Sequence, residues 1–255
     1  MHVGALVHVG ALVHVGALIH DSAMGDKKFG AGLLDLLLPR ECGGCGRTGT
    51  LWCGECAELL RDHPVQLSPR VDPGVPVWAL GRYDGPRRRS VIEMKERGRR
   101  DLATPLGIAV AGALGTLERW GEVGGGGRTP IMLVPAPTRA RAARSRGGDP
   151  VRRIAESVRE KREVGSVEGR PVRVCPILRM TRGVRDSVGL SAADRVTNVN
   201  GHVSLDTTAV SSIVGDGDIV LLDDVLTTGA TAAESVRALA LSGIRTTLVL
   251  VLAGA

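Results

Sequence analysis

Ile219-Val220-Leu221-Leu222-Asp223-Asp224-Val225-Leu226-Thr227-Thr228-Gly229-Ala230-Thr231 is the stretch on which the fold turns. Its first four residues form an unbroken apolar run, the pattern of a parallel strand buried on both faces. Two adjacent carboxylates follow the run at the strand's carboxyl edge. A turn rich in Thr and Gly then leads into a helical pattern, Ala232-Ala233-Glu234-Ser235-Val236-Arg237-Ala238-Leu239-Ala240. In open α/β sheets the ligand site lies outside the carboxyl ends of the strands. A helix N-terminus there offers unpaired N–H groups and a partial positive charge, which suit a phosphate. Gly229 lets the backbone approach closely, and the hydroxyls of Thr227, Thr228 and Thr231 add donors beside Ala230. Carboxylates accept hydrogen bonds from sugar hydroxyls and attract hydrated Mg2+. A phosphate on one side and a diol on the other describe a ribose 5-phosphate. The bland alternative is a buried strand that ends in a solvated acidic turn.

Upstream, strands alternate with helices. Pro76–Tyr83 reads as a strand, and Asp84-Gly85 as a turn. Arg87–Arg97 and Leu102–Trp120 read as helices, with Gly124–Gly127 a flexible run after them. Ile131-Met132-Leu133-Val134 is a buried strand running into Pro135-Ala136-Pro137-Thr138, followed by a loop carrying Arg139, Arg141, Arg144 and Arg146. Asp149-Pro150 gives the N-cap and first position of a helix to about Glu163. Pro171–Leu178, Gly201–Leu205 and Thr246–Leu252 read as further strands, and Arg179 to Asn198 as a long polar stretch. This alternation predicts an α/β fold with a parallel, Rossmann-like sheet and right-handed crossovers.

A second motif precedes the sheet: Cys42-Gly43-Gly44-Cys45, seven residues, then Cys53-Gly54-Glu55-Cys56. Two such pairs can place four thiolates around one tetrahedral Zn2+, and the glycines permit the tight turns that aim them. Two disulfides or a redox pair are the alternatives. Nothing in the sequence suggests secretion, and cytoplasmic thiols stay reduced, so structural zinc and a cytoplasmic location are expected. Cys175, in an apolar strand pattern, reads as a small core residue, and His63 as a surface residue.

The chain has 255 residues, enough for one sizeable core and a small appendage. Aromatics make up only 2%, so the core must be built from Val, Leu, Ile and Ala. Net charge is +6, unevenly placed. Leu133 to Asn200 holds 15 basic against 7 acidic residues, whereas Gly201 to Ala255 holds 2 against 6. A basic middle facing an acidic motif suits an anionic substrate such as a polyphosphate; it equally suits nucleic acid or a solvated face.

Residues 2–19 repeat one hexamer three times, with histidines at His2, His8, His14 and His20. The lack of a charged start makes a poor signal peptide. Gly and His in every hexamer weaken a membrane-span reading. Four segments are expected: a low-complexity, disordered extension over 1–23 with the true start at Met24, a zinc-knuckle module over 24–64, a proline-marked linker over 65–75, and an α/β domain over 76–255. Phe29 to Leu38 reads as a short apolar helix within the knuckle module.

The acidic–threonine string resembles the phosphoribosyl-pyrophosphate (PRPP) motif of the type I phosphoribosyltransferases. With the cysteine knuckle, Arg82-Tyr83-Asp84-Gly85, Met94-Lys95, Val134-Pro135-Ala136-Pro137 and the Leu190-Ser191…Asp194-Arg195…Asn198-Val199 string, the chain from about Leu33 to Ala253 resembles the ComF (competence protein F) family. The resemblance implies a type I phosphoribosyltransferase fold. Asp223 and Asp224 would hold the ribose hydroxyls, and Thr227 through Thr231 the 5-phosphate. Pro137, Thr138 and Arg139 would approach the pyrophosphate. Arg182 would lie in a loop, Arg179 to Asn198, that closes over the site. PRPP with Mg2+ is the implied ligand, and phosphoribosyl transfer to an unidentified acceptor the implied reaction. The same resemblance allows a non-catalytic competence factor that engages single-stranded DNA or a DNA-uptake helicase, although base-stacking aromatics are scarce. The family's usual Arg-Gly-Phe-Asn-Gln is here Arg146-Gly147-Gly148-Asp149-Pro150, and its loop glutamine is replaced near Asp186-Ser187. Both changes remove amide donors from the expected pyrophosphate side.

Overall fold

A computed structural model describes residues 40–124, 129–138, 148–181, 201–206, 208–209 and 217–255. The hexamer repeats, the Phe29–Leu38 helix, Arg139 and the polar stretch from Arg182 to Asn198 lie outside the described residues.

Residues 40–255 form one unit. Its main sheet has six strands in the order β1-β2-β8-β7-β3-β4: β1 (Val65–Leu67), β2 (Val77–Ala79), β3 (Ile131–Pro135), β4 (Val172–Val174), β7 (Ile219–Leu226) and β8 (Leu248–Gly254). All neighbours are parallel except β1, which pairs antiparallel with β2 at one edge. The fold is therefore mixed α/β with a mostly parallel sheet. Among the described residues the α-helices are α1 (Gly54–Leu59), α2 (Gly85–Glu96), α3 (Ala103–Arg119), α4 (Pro150–Glu163) and α5 (Ala230–Leu241). No helix among the described residues is long and apolar enough to cross a membrane.

Both faces of the sheet are covered, which explains the unbroken apolar runs of β3, β8 and the first four residues of β7. Alternate residues serve opposite faces. Leu133, Val220, Leu222, Leu248 and Leu250 join Leu106, Val110 and Leu114 of α3 and Ile154 and Val158 of α4 in one cluster. Val134, Leu221, Val249 and Val251 join Val236 and Leu239 of α5 in the other. The buried Arg162 fastens α4 to α3, donating to the Ala111 carbonyl at 2.8 Å and to Glu118 at 2.9 Å. That clamp fixes the helix whose N-terminus enters the candidate site.

Three local expectations change. β7 does not stop at Leu222; it runs through both carboxylates to Leu226, because β8 is long enough to pair with Asp223, Val225 and Leu226. The Pro171–Leu178 run divides at Pro176, which has no N–H to give a ladder. Its second half, β5 (Leu178–Met180), pairs with β6 (Val203–Leu205) in a separate two-stranded sheet. The stretch 65–75, read from its prolines as a linker, supplies β1 and then a segment that packs on the Thr–Gly turn: the Val71 N–H donates to the Thr228 carbonyl at 2.8 Å.

Candidate functional site

Chain direction creates the site. β3 leads through α4 outward to β4, whereas β7 leads through α5 back to β8, on the other side of it. α4 packs on one face and α5 on the other. The strand order reverses at this point, and open α/β sheets carry their ligand crevice at such a reversal, here beyond the carboxyl ends of β3 and β7. Ala136 follows β3 and donates to the Leu222 carbonyl at 2.7 Å, which sets the Pro135–Thr138 turn beside the acidic pair.

Asp224 is buried, on the face covered by α2. Its Oδ1 accepts from Lys95 Nζ at 2.7 Å and from the Val225 N–H at 2.7 Å. Asp223 Oδ1 accepts from the Asp224 N–H at 2.8 Å. A third carboxylate joins them: Asp149, the N-cap of α4, accepts from the N–H groups of Val151 at 2.9 Å and Arg152 at 3.2 Å and from the Thr138 hydroxyl. Burial pushes Asp223 up from 3.8 to about 7, and the charge of Asp224 adds to the rise. Lys95 and the Asp224 N–H pull it back, while Asp149 pushes it further up. Burial also raises Asp149, against the hydrogen bonds it accepts. A carboxyl that titrates near neutrality can take or give a proton at working pH.

The Thr–Gly turn is used differently from the expectation. Gly229 sits at φ +89°, a left-handed conformation that glycine adopts without strain. A Cβ there would lie 2.4 Å from the Val71 carbonyl oxygen. The close approach Gly229 permits is thus to the 69–71 segment of the chain itself. The buried Thr228 turns its Oγ1 back onto the Ala230 N–H at 3.3 Å, taking one amide that a phosphate was expected to use. Thr227 is exposed and Thr231 half-buried, so their hydroxyls remain at the surface beside the N-terminus of α5. Pro137 and Thr138 are half-buried at the end of β3. Arg139 and Arg182 lie outside the described residues.

The four cysteines form a second centre. Their sulfurs all lie within 4.8 Å of one another, with Cys42–Cys56 and Cys45–Cys53 each at 3.7 Å. A tetrahedron of thiolates at about 2.3 Å from Zn2+ has edges of about 3.8 Å. A disulfide needs about 2.05 Å; the cysteines are free thiols, which removes the two-disulfide alternative. Burial opposes ionisation of Cys42, but the N–H groups of Cys45, Cys53 and Gly44 outweigh it and bring the thiol down to about 6. Burial and the neighbouring thiols raise Cys56. The knuckle is closed by hydrogen bonds from Cys42 N–H to Arg47 O and from Gly46 N–H to Cys42 O, each 2.8 Å. It seats on the main unit through Gly43, where an added Cβ would strike Leu102 at 2.4 Å. Arg99 holds it as well, donating to Glu41 O at 3.0 Å and Leu51 O at 3.3 Å.

Sequence reading missed two members of the crevice, Lys95 and Asp149, as site residues. Lys95 lies 129 positions from its partner, and no periodicity spans such a distance. Asp149 was legible as a helix cap, but its approach to the acidic pair depends on where β3 and α4 sit. The chain matches no protein-family model and no curated protein.

Proposed function

We propose that this chain binds PRPP with Mg2+ and transfers its phosphoribosyl group to an acceptor, as a ComF-like protein with a type I phosphoribosyltransferase fold. One observation carries the reading: consecutive carboxylates lie in the carboxyl half of a central parallel strand at the switch point, and a left-handed glycine and a helix N-terminus follow that strand. In this reading the carboxylates would serve as diol acceptors and the helix N-terminus beyond the strand as phosphate donor.

Asp223 and Asp224 would hold the ribose hydroxyls, with Lys95 orienting Asp224. Thr227, Thr231 and the first turn of α5 would hold the 5-phosphate. The Pro137-Thr138 turn would face the pyrophosphate. Among the described residues only the cysteines converge tightly enough to cage an ion unaided. The three crevice carboxylates therefore suit a Mg2+ that arrives with the polyphosphate's own oxygens, whose charge it neutralises. In the transfer, the bond from the anomeric carbon to the pyrophosphate oxygen breaks, and its electron pair leaves on pyrophosphate. The acceptor's lone pair forms the new bond to that carbon, and the proton it displaces passes to Asp223. The knuckle takes Zn2+ as a structural ion, and it rests on the segment of Arg99 that follows α2, the helix carrying Lys95.

The test is calorimetric titration with PRPP and Mg2+ of the unaltered protein and of Asp223→Asn with Asp224→Asn. Loss of at least ten-fold in affinity is expected in the variant. Equal affinity in both proteins removes the carboxylates from the site and the reading with them.

A further inference from the structure

The four knuckle sulfurs belong to one cluster but are not equally open to solvent. Cys42, Cys53 and Cys56 are 0%, 7% and 1% exposed, whereas Cys45 lies at the surface. Cys42 Sγ is enclosed further by the N–H groups of Gly44, Cys45 and Cys53, the last at 3.3 Å. Oxidation of a thiolate follows its exposure. Cys45 is therefore the sulfur that an oxidant in solution reaches first. Cys53 Sγ stands 3.7 Å from it, so a shift of under about 2 Å brings the two sulfurs to the bonded distance of about 2.05 Å.

The cysteine module also grips α2 at both ends. At the start of α2, Arg87 donates to the carbonyl of Leu59, the last residue of α1, and to Asp62 at 2.9 Å. Arg89 donates to Glu41 at 3.1 Å and lies over Gly46, where a Cβ would come within 2.5 Å of its Nη1. Cations are disfavoured at the positive end of a helix; these two are held there by partners in the cysteine module. Beyond the other end of α2, Arg99 takes the Glu41 and Leu51 carbonyls. Lys95, which holds Asp224 in the crevice, lies between the two points of attachment.

We propose that Cys45 and Cys53 form an oxidant-sensing modification site, at which hydrogen peroxide makes a reversible disulfide that releases the knuckle's Zn2+ and loosens α2. This site depends on Zn2+ in the knuckle, as read above, and not on PRPP. The Cys45 thiolate attacks one oxygen of the peroxide, the O–O bond breaks, and hydroxide leaves; Cys45 becomes a sulfenic acid. The Cys53 thiolate then attacks the Cys45 sulfur, the S–S bond forms, and a second hydroxide leaves. The two sulfurs lose two electrons and the peroxide gains them. Two thiolates remain, too few for a tetrahedral site. Metal binding and local folding are coupled in so small a module, so its grip on α2 is lost with the ion. A dithiol reverses the disulfide by exchange.

The experiment uses the full chain, purified with zinc under reducing conditions, freed of reductant and exposed to hydrogen peroxide. A chromogenic chelator reads zinc release, peptide mass mapping the disulfide, and hydrogen exchange the amides of α2. Cys45→His is tested in parallel, because an imidazole can replace one thiolate on zinc and cannot form a disulfide. The unaltered protein is expected to lose zinc as the Cys45–Cys53 disulfide appears, and Cys45→His to lose it at least about ten-fold more slowly. Exchange in α2 should rise at least about five-fold with zinc loss and return when dithiol and zinc are restored. Equal release rates in the two proteins, or a first disulfide between Cys42 and Cys56, overturn the sensing site. If Cys45→His takes up no zinc, dimedone trapping in the unaltered protein decides: a sulfenic acid trapped first on any other cysteine overturns the site. Unchanged exchange after zinc loss overturns the link to α2. Protein that carries no zinc overturns the zinc reading, whereas bound zinc that peroxide does not release overturns the sensing site alone.

Discussion

Replacing Lys95 with Met tests the electrostatic core of the crevice. The change keeps the length and apolar stem of the side chain and removes its charge. Asp224 then loses the cation that lies 2.7 Å from its Oδ1, while its side chain is only 8% exposed. Removing one partner of a fully buried ion pair costs about 3–5 kcal/mol. Lys95 is 31% exposed, so solvent screens part of this, and about 1–3 kcal/mol is expected. The pH dependence is more diagnostic than the size. Asp223 is raised from 3.8 to about 7 in the folded state. A raised carboxyl contributes stability that is fully present below its unfolded value and is lost as pH rises through the folded value. Each factor of ten in acidity is worth about 1.4 kcal/mol, so that loss is at most on the order of 4 kcal/mol in the unaltered protein. Lys95 pulls Asp223 down; without it Asp223 rises further, and the loss extends above neutrality. Urea unfolding should therefore show a penalty of about 1 kcal/mol at pH 5 that grows to about 3 kcal/mol at pH 8. A penalty equal at both pH values, or larger at pH 5, refutes the coupling of Lys95 to the acidic pair.

Two other expectations follow from the same geometry. Asp149→Asn keeps a good helix cap and removes a charge that raises Asp223; the pH-dependent loss of stability between about pH 4 and 7 should shrink, by up to about 1 kcal/mol, in melting curves taken across that range. An unchanged or steeper dependence places Asp149 out of electrical contact with the pair. For the knuckle, elemental analysis of protein purified under reducing conditions should find about one Zn2+ per chain, lost in Cys42→Ser and in Cys53→Ser. Protein that is folded and free of zinc contradicts this.

The strand–turn–helix order around Asp223 was readable because each part has its own local signature. The apolar run has the length of a buried strand, and Gly229 marks the point where only a left-handed residue passes. The cysteine spacing was readable for a similar reason, since two short pairs limit where four sulfurs can go. The end of β7 was not readable. Two carboxylates are poor strand formers, yet ladder bonds to β8 and the Lys95 charge carry the strand through them to Leu226. The prolines around 65–75 pointed to a linker and concealed β1, because Pro64 and Pro69 flank the three-residue strand without entering it and leave its ladder to β2 intact.

The sequence by itself determined the elements whose causes lie within a few residues: the alternation of strands and helices, the Asp149-Pro150 helix start and the four-thiol cluster. Tertiary structure alone decided what the candidate site contains. It brought Lys95 across 129 positions to Asp224, set Asp149 beside the pair, and laid Val71 against Gly229 where a phosphate had been expected to come closest. Hydrophobic pattern fixes which face of an element is buried. The long-range electrostatics of the crevice depend on strand order and on where each helix begins, and those are settled only when the sheet assembles and both of its faces are covered.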